Sequence, residues 1–232
     1  MRAVILAGGK GTRLKPYTTV FPKPLMPVDG VPILEILVRQ LTKQGVTHIT
    51  MTLGHLAKLI EVYFGNGSSF GVKIDYSHEP FPLGTMGPLK RIKELPENFL
   101  VLNGDILTDL SFSKFFKNHC DGKNLFSISS YKREVDSDFG VLETNGNSEL
   151  TGFKEKPKIP FQVSMGIYAM RREIVELIPE NHAFGFDELM HKMLSFRKTP
   201  HVYQHNGFWL DIGRPDDYEQ AQILIGDFKK DI

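Results

Sequence analysis

The chain is 232 residues long, 41% hydrophobic and 24% charged, with a formal net charge of +1. That length supports one sizeable core, and the near-neutral balance excludes both a global basic field for nucleic acid and an acidic disordered tail. The single cysteine, Cys120, excludes an internal disulfide and fits a reducing compartment; no apolar run reaches the roughly 20 residues of a membrane span, so a cytoplasmic protein without membrane or nucleic-acid partners is expected.

The N-terminal MRAVILAGG pairs a basic residue with an apolar run, but the run falls short of the h-region of about 7 residues in a signal peptide. RAVILA therefore reads as a buried strand. PILEILVRQLTKQG predicts a helix: Pro32 suits the first turn, Ile33, Leu34, Leu37 and Leu41 share a face, and Gly45 suits the stop. THITMTL is the next strand, HLAKLIEVYF the next helix and VKIDYS a further strand. After them come a helix-like MGPLKRIKEL and a buried strand, FLVLNGD, that ends in polar residues. Strands alternating with helices imply βαβ units and a parallel sheet. Ligands of such sheets bind outside the carboxyl ends of the strands. That places the glycine loop after RAVILA and the Asn103-Gly104-Asp105 stop on one rim. From Asn124 the strands shorten: LFSISSY, FGVLET, ELTGFKEK and QVSMGIYAM, with a turn at Thr144–Asn147. Helices near Phe186–Phe196 and Pro215–Ile225 close the chain. Phe112, Phe115 and Phe116 read as exposed aromatics open to core or interface, and a homodimer is left open. The expected architecture is one α/β domain over 1–232, with a Rossmann-like, mixed but mostly parallel sheet flanked by helices. Its first part covers about 1–123, and a β-rich part covers about 124–232.

LAGGKGTRL, Leu6 to Leu14, is a glycine-rich turn after a strand, which lets backbone N–H groups approach phosphate oxygens. It has neither the P-loop spacing nor the third glycine of the dinucleotide fingerprint, where Leu14 stands instead. Lys10 and Arg13 lie inside the turn. Lys23 sits between Pro22 and Pro24, an arrangement that predicts a stiff, extended presentation.

AGGKGTRLKPYTTVFPKPLMPVDG resembles the N-terminal consensus of the sugar-1-phosphate nucleotidyltransferases, and LGTMGPL, NGD, FGVLE, EKP, GIY and WLDIGRPDDYEQA follow in that family's order. The resemblance implies a nucleotide-diphospho-sugar transferase fold. It also implies partners: a nucleoside triphosphate bound by the first part and a sugar 1-phosphate bound by the second. On this reading Leu6, Gly8, Gly9, Gly11, Thr12, Gly84, Thr85 and Gly104 line the nucleotide. Arg13 touches the departing phosphates, and Lys23 is the second catalytic cation.

Asp105 ends a buried strand, and Asp211 ends Phe208-Trp209-Leu210. Either alone reads first as a turn former or cap. Magnesium, however, prefers one or two carboxylates with phosphate oxygens and water, and the resemblance makes this pair the Mg2+ ligands. Asp109, Asp216 and Asp217 read as caps or surface charges, Asp216 in a helix first turn. The resemblance assigns the sugar-phosphate side to Gly140, Glu155, Lys156 and Gly166, with Lys156 biased towards an extended conformation by Pro157. Ser164 stands where the family often has asparagine, so the sugar stays open.

HEPFPLGTMGPL resembles the family's base-reading loop, with Glu79 where thymidylyl and many uridylyl members carry glutamine. An ionised carboxylate only accepts hydrogen bonds. Guanine offers it two adjacent donors, whereas the uracil O4 repels it. GTP is the first choice, with UTP, dTTP and CTP open, and a catalytically silent nucleotide-sugar sensor is the non-enzyme alternative. The implied reaction joins NTP and sugar 1-phosphate to give NDP-sugar and pyrophosphate, and its anionic nucleophile needs no general base from His55 or His78.

Overall fold

RAVIL forms an interior strand of the central sheet because both of its faces are apolar. Ala3 and Ile5 point to one side of the sheet and Val4 to the other, and all three are fully buried. The structure is a computed structural model and describes residues 1–228; residues 229–232, included in the single domain read from the sequence, lie outside the described residues.

In chain order the elements are β1 (Arg2–Leu6), β2 (Pro27–Val28), β3 (Val31–Pro32), α1 (Ile33–Lys43), β4 (His48–Leu53) and α2 (Ala57–Phe64), then β5 (Lys73–His78), β6 (Asn98–Asn103), β7 (Ile106–Thr108) and α3 (Phe112–Asp121). They continue with β8 (Phe126–Asp136), β9 (Val141–Thr144), β10 (Leu150–Lys154), β11 (Lys158–Arg171), α4 (Phe186–Ser195), β12 (His201–His205), β13 (Trp209–Asp211) and α5 (Pro215–Phe228). Seven strands make one sheet in the order β12-β8-β11-β6-β1-β4-β5. β1 runs parallel to β4 and β6, β4 to β5 and β8 to β12, while β11 is antiparallel to both of its neighbours. This is the mixed, mostly parallel α/β sheet expected from the alternating pattern.

α1, α2 and α3 cover one face of the sheet through Leu34, Leu37, Leu41, Ile60, Phe64, Phe112 and Phe115. On the other face Phe99, Val101, Tyr168 and Met170 pack against Leu189 and Met193 of α4. A third cluster, including Leu14, Met26, Ile33, Leu107, Leu210 and Ile212, anchors the far end of the glycine loop to β7 and β13.

Several local expectations are corrected. MGPLKRIKEL is not a long helix. It forms a 3-10 helix over Gly87–Arg91, and the chain is extended again by Ile92. The amides of Met86 and Gly87 both donate to the Phe184 carbonyl, and Glu94 takes φ +57 just before Pro96, so the turn cannot continue as a helix. Phe112 and Phe115 are not exposed. They are fully buried on α3, which starts where the Ser111 side chain accepts a hydrogen bond from the Lys114 amide, and Phe116 is half-buried. The strands read as LFSISSY and QVSMGIYAM extend into the long β8 and β11, which pair from Lys158↔Asp136 inwards.

Candidate active site

The carboxyl ends of β1, β4, β5 and β6 open onto one rim and form a cavity of about 800 Å³. Leu6, Gly8, Gly9, Gly11, Thr12, Arg13, Lys23, Glu79, Gly84, Thr85, Gly104 and Asp105 all line it.

The glycine loop takes its shape from two close approaches. A Cβ at Gly8 would collide with the Glu79 carboxylate, and one at Gly54 would stand 2.7 Å from the Gly8 carbonyl oxygen. Gly11 lies at φ +61, where its carbonyl accepts a 2.7 Å hydrogen bond from Thr18 Oγ1, and Thr12–Leu14 then turn as a 3-10 helix onto buried Leu14. A Cβ at Gly9 would meet nothing within 4 Å, so that part of the loop faces open space.

Glu79 follows β5 directly, with its amide bonded to the Leu53 carbonyl at 2.8 Å. One carboxylate oxygen faces Gly8, and the other accepts from the Leu83 amide at 3.1 Å. Burial raises its pKa, and the Leu83 hydrogen bond opposes that rise. Gly84, at φ +74, packs where a Cβ would stand 2.8 Å from the Phe184 carbonyl, which fixes the course of the loop.

At the other end, Lys23 is only 8% exposed and its ammonium pairs with Asp105 Oδ2. Lys23 opens a 3-10 turn over Lys23–Leu25, which corrects the extended presentation expected of it. Pro22 is extended, as a residue flanking such a turn can be, but Pro24 fits the start of a 3-10 helix and Asp105 draws the lysine inward. Asp211 does not line the cavity, yet it belongs to the same corner. β13 pairs with β7 so that Asp211 lies opposite Ile106, and the Ile212 amide donates to the Asp105 carbonyl at 3.1 Å. Burial raises the Asp211 pKa, the Asp105 charge adds to the rise, and Lys23 and Arg13 oppose it. Asp217 caps α5 by accepting from the amides of Gly213 and Arg214, and Asp109 accepts from the Phe208 amide at 2.7 Å.

The Asp105–Asp211 corner can accept a divalent ion. Asp105 Oδ1 is buried with no hydrogen-bond partner, and the half-buried Asp211 carboxylate stands beside it. Among the described residues no group of three or more His, Cys, Asp or Glu side chains could hold a metal. An ion here would complete its shell with substrate oxygens and water, the usual manner of magnesium.

The remaining candidates lie elsewhere. Gly140 and Glu155 meet on the β9–β10 hairpin, where a Cβ on Gly140 would stand 3.1 Å from Glu155 Oε2. Glu155 and Lys156 are exposed, and neither they nor Gly140 line the cavity. Lys156 lies at φ +42, not extended, because the chain must reverse between β10 and β11. Gly166, at φ +72, sits in an irregularity of β11 against the side chain of Asn103, a cavity residue. Ser164 donates to the Tyr168 hydroxyl at 3.1 Å. Thr52, Gly54, Phe81 and Gly213 also line the cavity and do not stand out in the sequence, although Gly54 directly follows a buried strand. His55, set aside as a base, lines it as well. No helix among the described residues is long and apolar enough to cross a membrane.

The nucleotidyl transferase family model matches residues 2–227. The chain is 34% identical to the UTP–glucose-1-phosphate uridylyltransferase of Synechocystis, covering 95% of this chain but 62% of that protein's length. It is 32% identical to the D-glycero-alpha-D-manno-heptose 1-phosphate guanylyltransferase of Aneurinibacillus thermoaerophilus, covering 96% of this chain and 97% of that one. The crystal structure of HddC from Yersinia pseudotuberculosis complexed with GMP-PN superposes with a TM-score of 0.72 at 28% identity, covering 97% of this chain and 99% of the other.

Proposed function

The chain belongs to the nucleotidyl transferase family, and from that premise we propose that it transfers the nucleotidyl group of an NTP, best GTP, to a sugar 1-phosphate. The observation that carries this reading is one continuous wall. It runs from the Glu79 carboxylate against Gly8, along the open backbone at Gly9, to the Lys23–Asp105 pair.

A carboxylate only accepts hydrogen bonds, so Glu79, whose Oε2 already takes the Leu83 amide, suits the N1–H and exocyclic amine of guanine better than the uracil O4. The guanylyl name of one relative and the GMP-PN bound to a structural neighbour support the same base, while the uridylyl name of another relative keeps UTP as the competing substrate. Backbone of Gly8, Gly9 and Gly11 would cradle the triphosphate. A sugar-phosphate oxygen attacks the α-phosphorus in line, a new P–O bond forms, the bond to the β-phosphate oxygen breaks, and pyrophosphate carries away the electron pair. The nucleophile is already an anion, so the protein's work is to bring two anions together and offset their charge. Lys23 would neutralise the α-phosphate and Arg13 the charge growing on pyrophosphate. Lys156 and Glu155, with Gly140 and Gly166, would hold the sugar phosphate. Magnesium held by Asp105 and Asp211 would supply Lewis-acid stabilisation of the phosphate oxygens.

The test is pyrophosphate release with magnesium, running GTP, UTP, dTTP, CTP and ATP against mannose, glucose and heptose 1-phosphates. GTP turning over fastest supports the reading of Glu79. UTP or dTTP turning over fastest removes guanine and leaves the reaction class. Nucleotide-sugar binding without turnover of any pair would favour a sensor.

A further inference from the structure

Trp209 is the single tryptophan of the chain and stands two residues before Asp211 on β13. Strand alternation sends both side chains to the same face, about 7 Å apart along the strand, while Leu210 between them is buried in the core. The indole Nε1 donates to the Met165 carbonyl at 3.0 Å, and the next residue, Gly166, abuts Asn103 on the cavity rim. Tyr131 packs against the indole with ring centroids 5.5 Å apart, and the guanidinium carbon of Arg133 lies 5.3 Å from the indole centroid. Tyr131 and Arg133 share a face of β8 by the same alternation. Arg133 is exposed, and among the described residues no carboxylate pairs with it. A guanidinium stacked on an aromatic ring is held in place with its N–H fork still directed outward.

We infer that Arg133 is a specificity-determining residue for the sugar, reading the end of the molecule remote from its phosphate. This rests on the proposal that the site takes a sugar 1-phosphate. The phosphate belongs at the Asp105–Asp211 corner, the ring passes along the indole shelf, and the far carbon reaches the guanidinium. Five N–H donors without an internal acceptor favour a sugar whose far end carries hydroxyls or a carboxylate over one with a bare methyl group.

The experiment uses the full chain and its R133A and R133K variants. Its probes are mannose 1-phosphate, the 6-deoxy and 6-carboxylate counterparts, and D-glycero-α-D-manno-heptose 1-phosphate. Pyrophosphate release supplies kcat and KM. The emission of Trp209, the only tryptophan, reports sugar-phosphate binding without turnover, with a non-hydrolysable GTP analogue present. The expected result is that sugar phosphate shifts the emission and that R133A raises both the KM and the emission midpoint about tenfold for the hydroxylated and carboxylated sugars. The 6-deoxy sugar and the KM for nucleotide stay unchanged, and R133K recovers part of the loss. Emission that does not respond while turnover proceeds would overturn the inference, as would R133A weakening the 6-deoxy sugar equally. An emission response that depends on Arg133, with no turnover of any nucleotide, would uphold the inference and defeat nucleotidyl transfer. Neither response nor turnover would overturn both.

Discussion

The glycine-loop cavity and the β9–β10 hairpin carry the two halves of the proposed substrate pair, and they are built in opposite ways. Around the cavity, buried parallel strands fix the backbone, Gly8 and Glu79 are in mutual contact, and Lys23 is paired with Asp105. On the hairpin, Phe139 is 77% exposed and Phe153 57%, and the Gly140–Glu155 contact is made within the hairpin itself. The nucleotide side owes its shape to the hydrophobic core, whereas the sugar side is held by two short strands and the ends of β8 and β11. Substitutions on the first should therefore disturb stability and chemistry together, and substitutions on the second should alter substrate affinity alone.

The largest expected effect is that of K23A. It should lower kcat about a hundredfold, roughly 2.7 kcal/mol of transition-state stabilisation, and it should also lower Tm, because the half-buried Asp105 carboxylate is left without its partner. Steady-state kinetics and a thermal melt check both, and loss of activity with an unchanged melt would break the link between the two roles. E79Q comes next. Losing a charge-assisted pair of hydrogen bonds should cut kcat/KM for GTP about 30-fold, near 2 kcal/mol, while UTP gains relative to GTP because an amide can match its donor and acceptor. K156A, on the exposed turn, should raise the KM for sugar 1-phosphate about tenfold and leave the KM for nucleotide and the melt unchanged. A drop in Tm there would mean that the hairpin is as integral to the fold as the cavity.

The smallest effect on either chemistry concerns the scaffold beneath both. His119 is fully buried between Ser127 and Asn98, and burial lowers its pKa to about 4. The native state thus disfavours the proton that the unfolded chain accepts near pH 6.5. The stability this confers is present above pH 6.5 and lost as pH falls towards 4, by about 3 kcal/mol in all. H119Q should flatten that slope in melts taken from pH 7 to pH 4 without changing kcat at pH 7.

The same contrast governs what could be read from the sequence. β1 and β6 are legible because both faces of each are buried, giving apolar runs that stop at Gly8 and Asn103, whereas β4 alternates buried Ile49, Met51 and Leu53 with Thr50 and Thr52 before Gly54. Glu79 is legible only through the resemblance, as a glutamate where thymidylyl and many uridylyl members carry glutamine. Lys23 departs from the extended expectation because flanking prolines fix φ without saying whether the chain extends or turns, and its ion pair comes from a residue 82 positions away. Lys156 departs from it as well, because the reversal into β11 outweighs the bias from Pro157. The signal for helix α3 is the spacing of Phe112, Phe115 and His119, all buried, after the cap Ser111. Arg133 and Trp209 were not connected because the chain brings them together only through the pairing of β8 with β11 and of β13 with β7.

The most direct test follows the atoms. Phosphorus-31 NMR of the full chain with magnesium, GTP and mannose or heptose 1-phosphate should show the two doublets of a pyrophosphate diester growing in step with pyrophosphate, one for one. Inorganic phosphate or GMP appearing instead, with the sugar 1-phosphate unconsumed, would contradict nucleotidyl transfer and mark the cavity as hydrolytic.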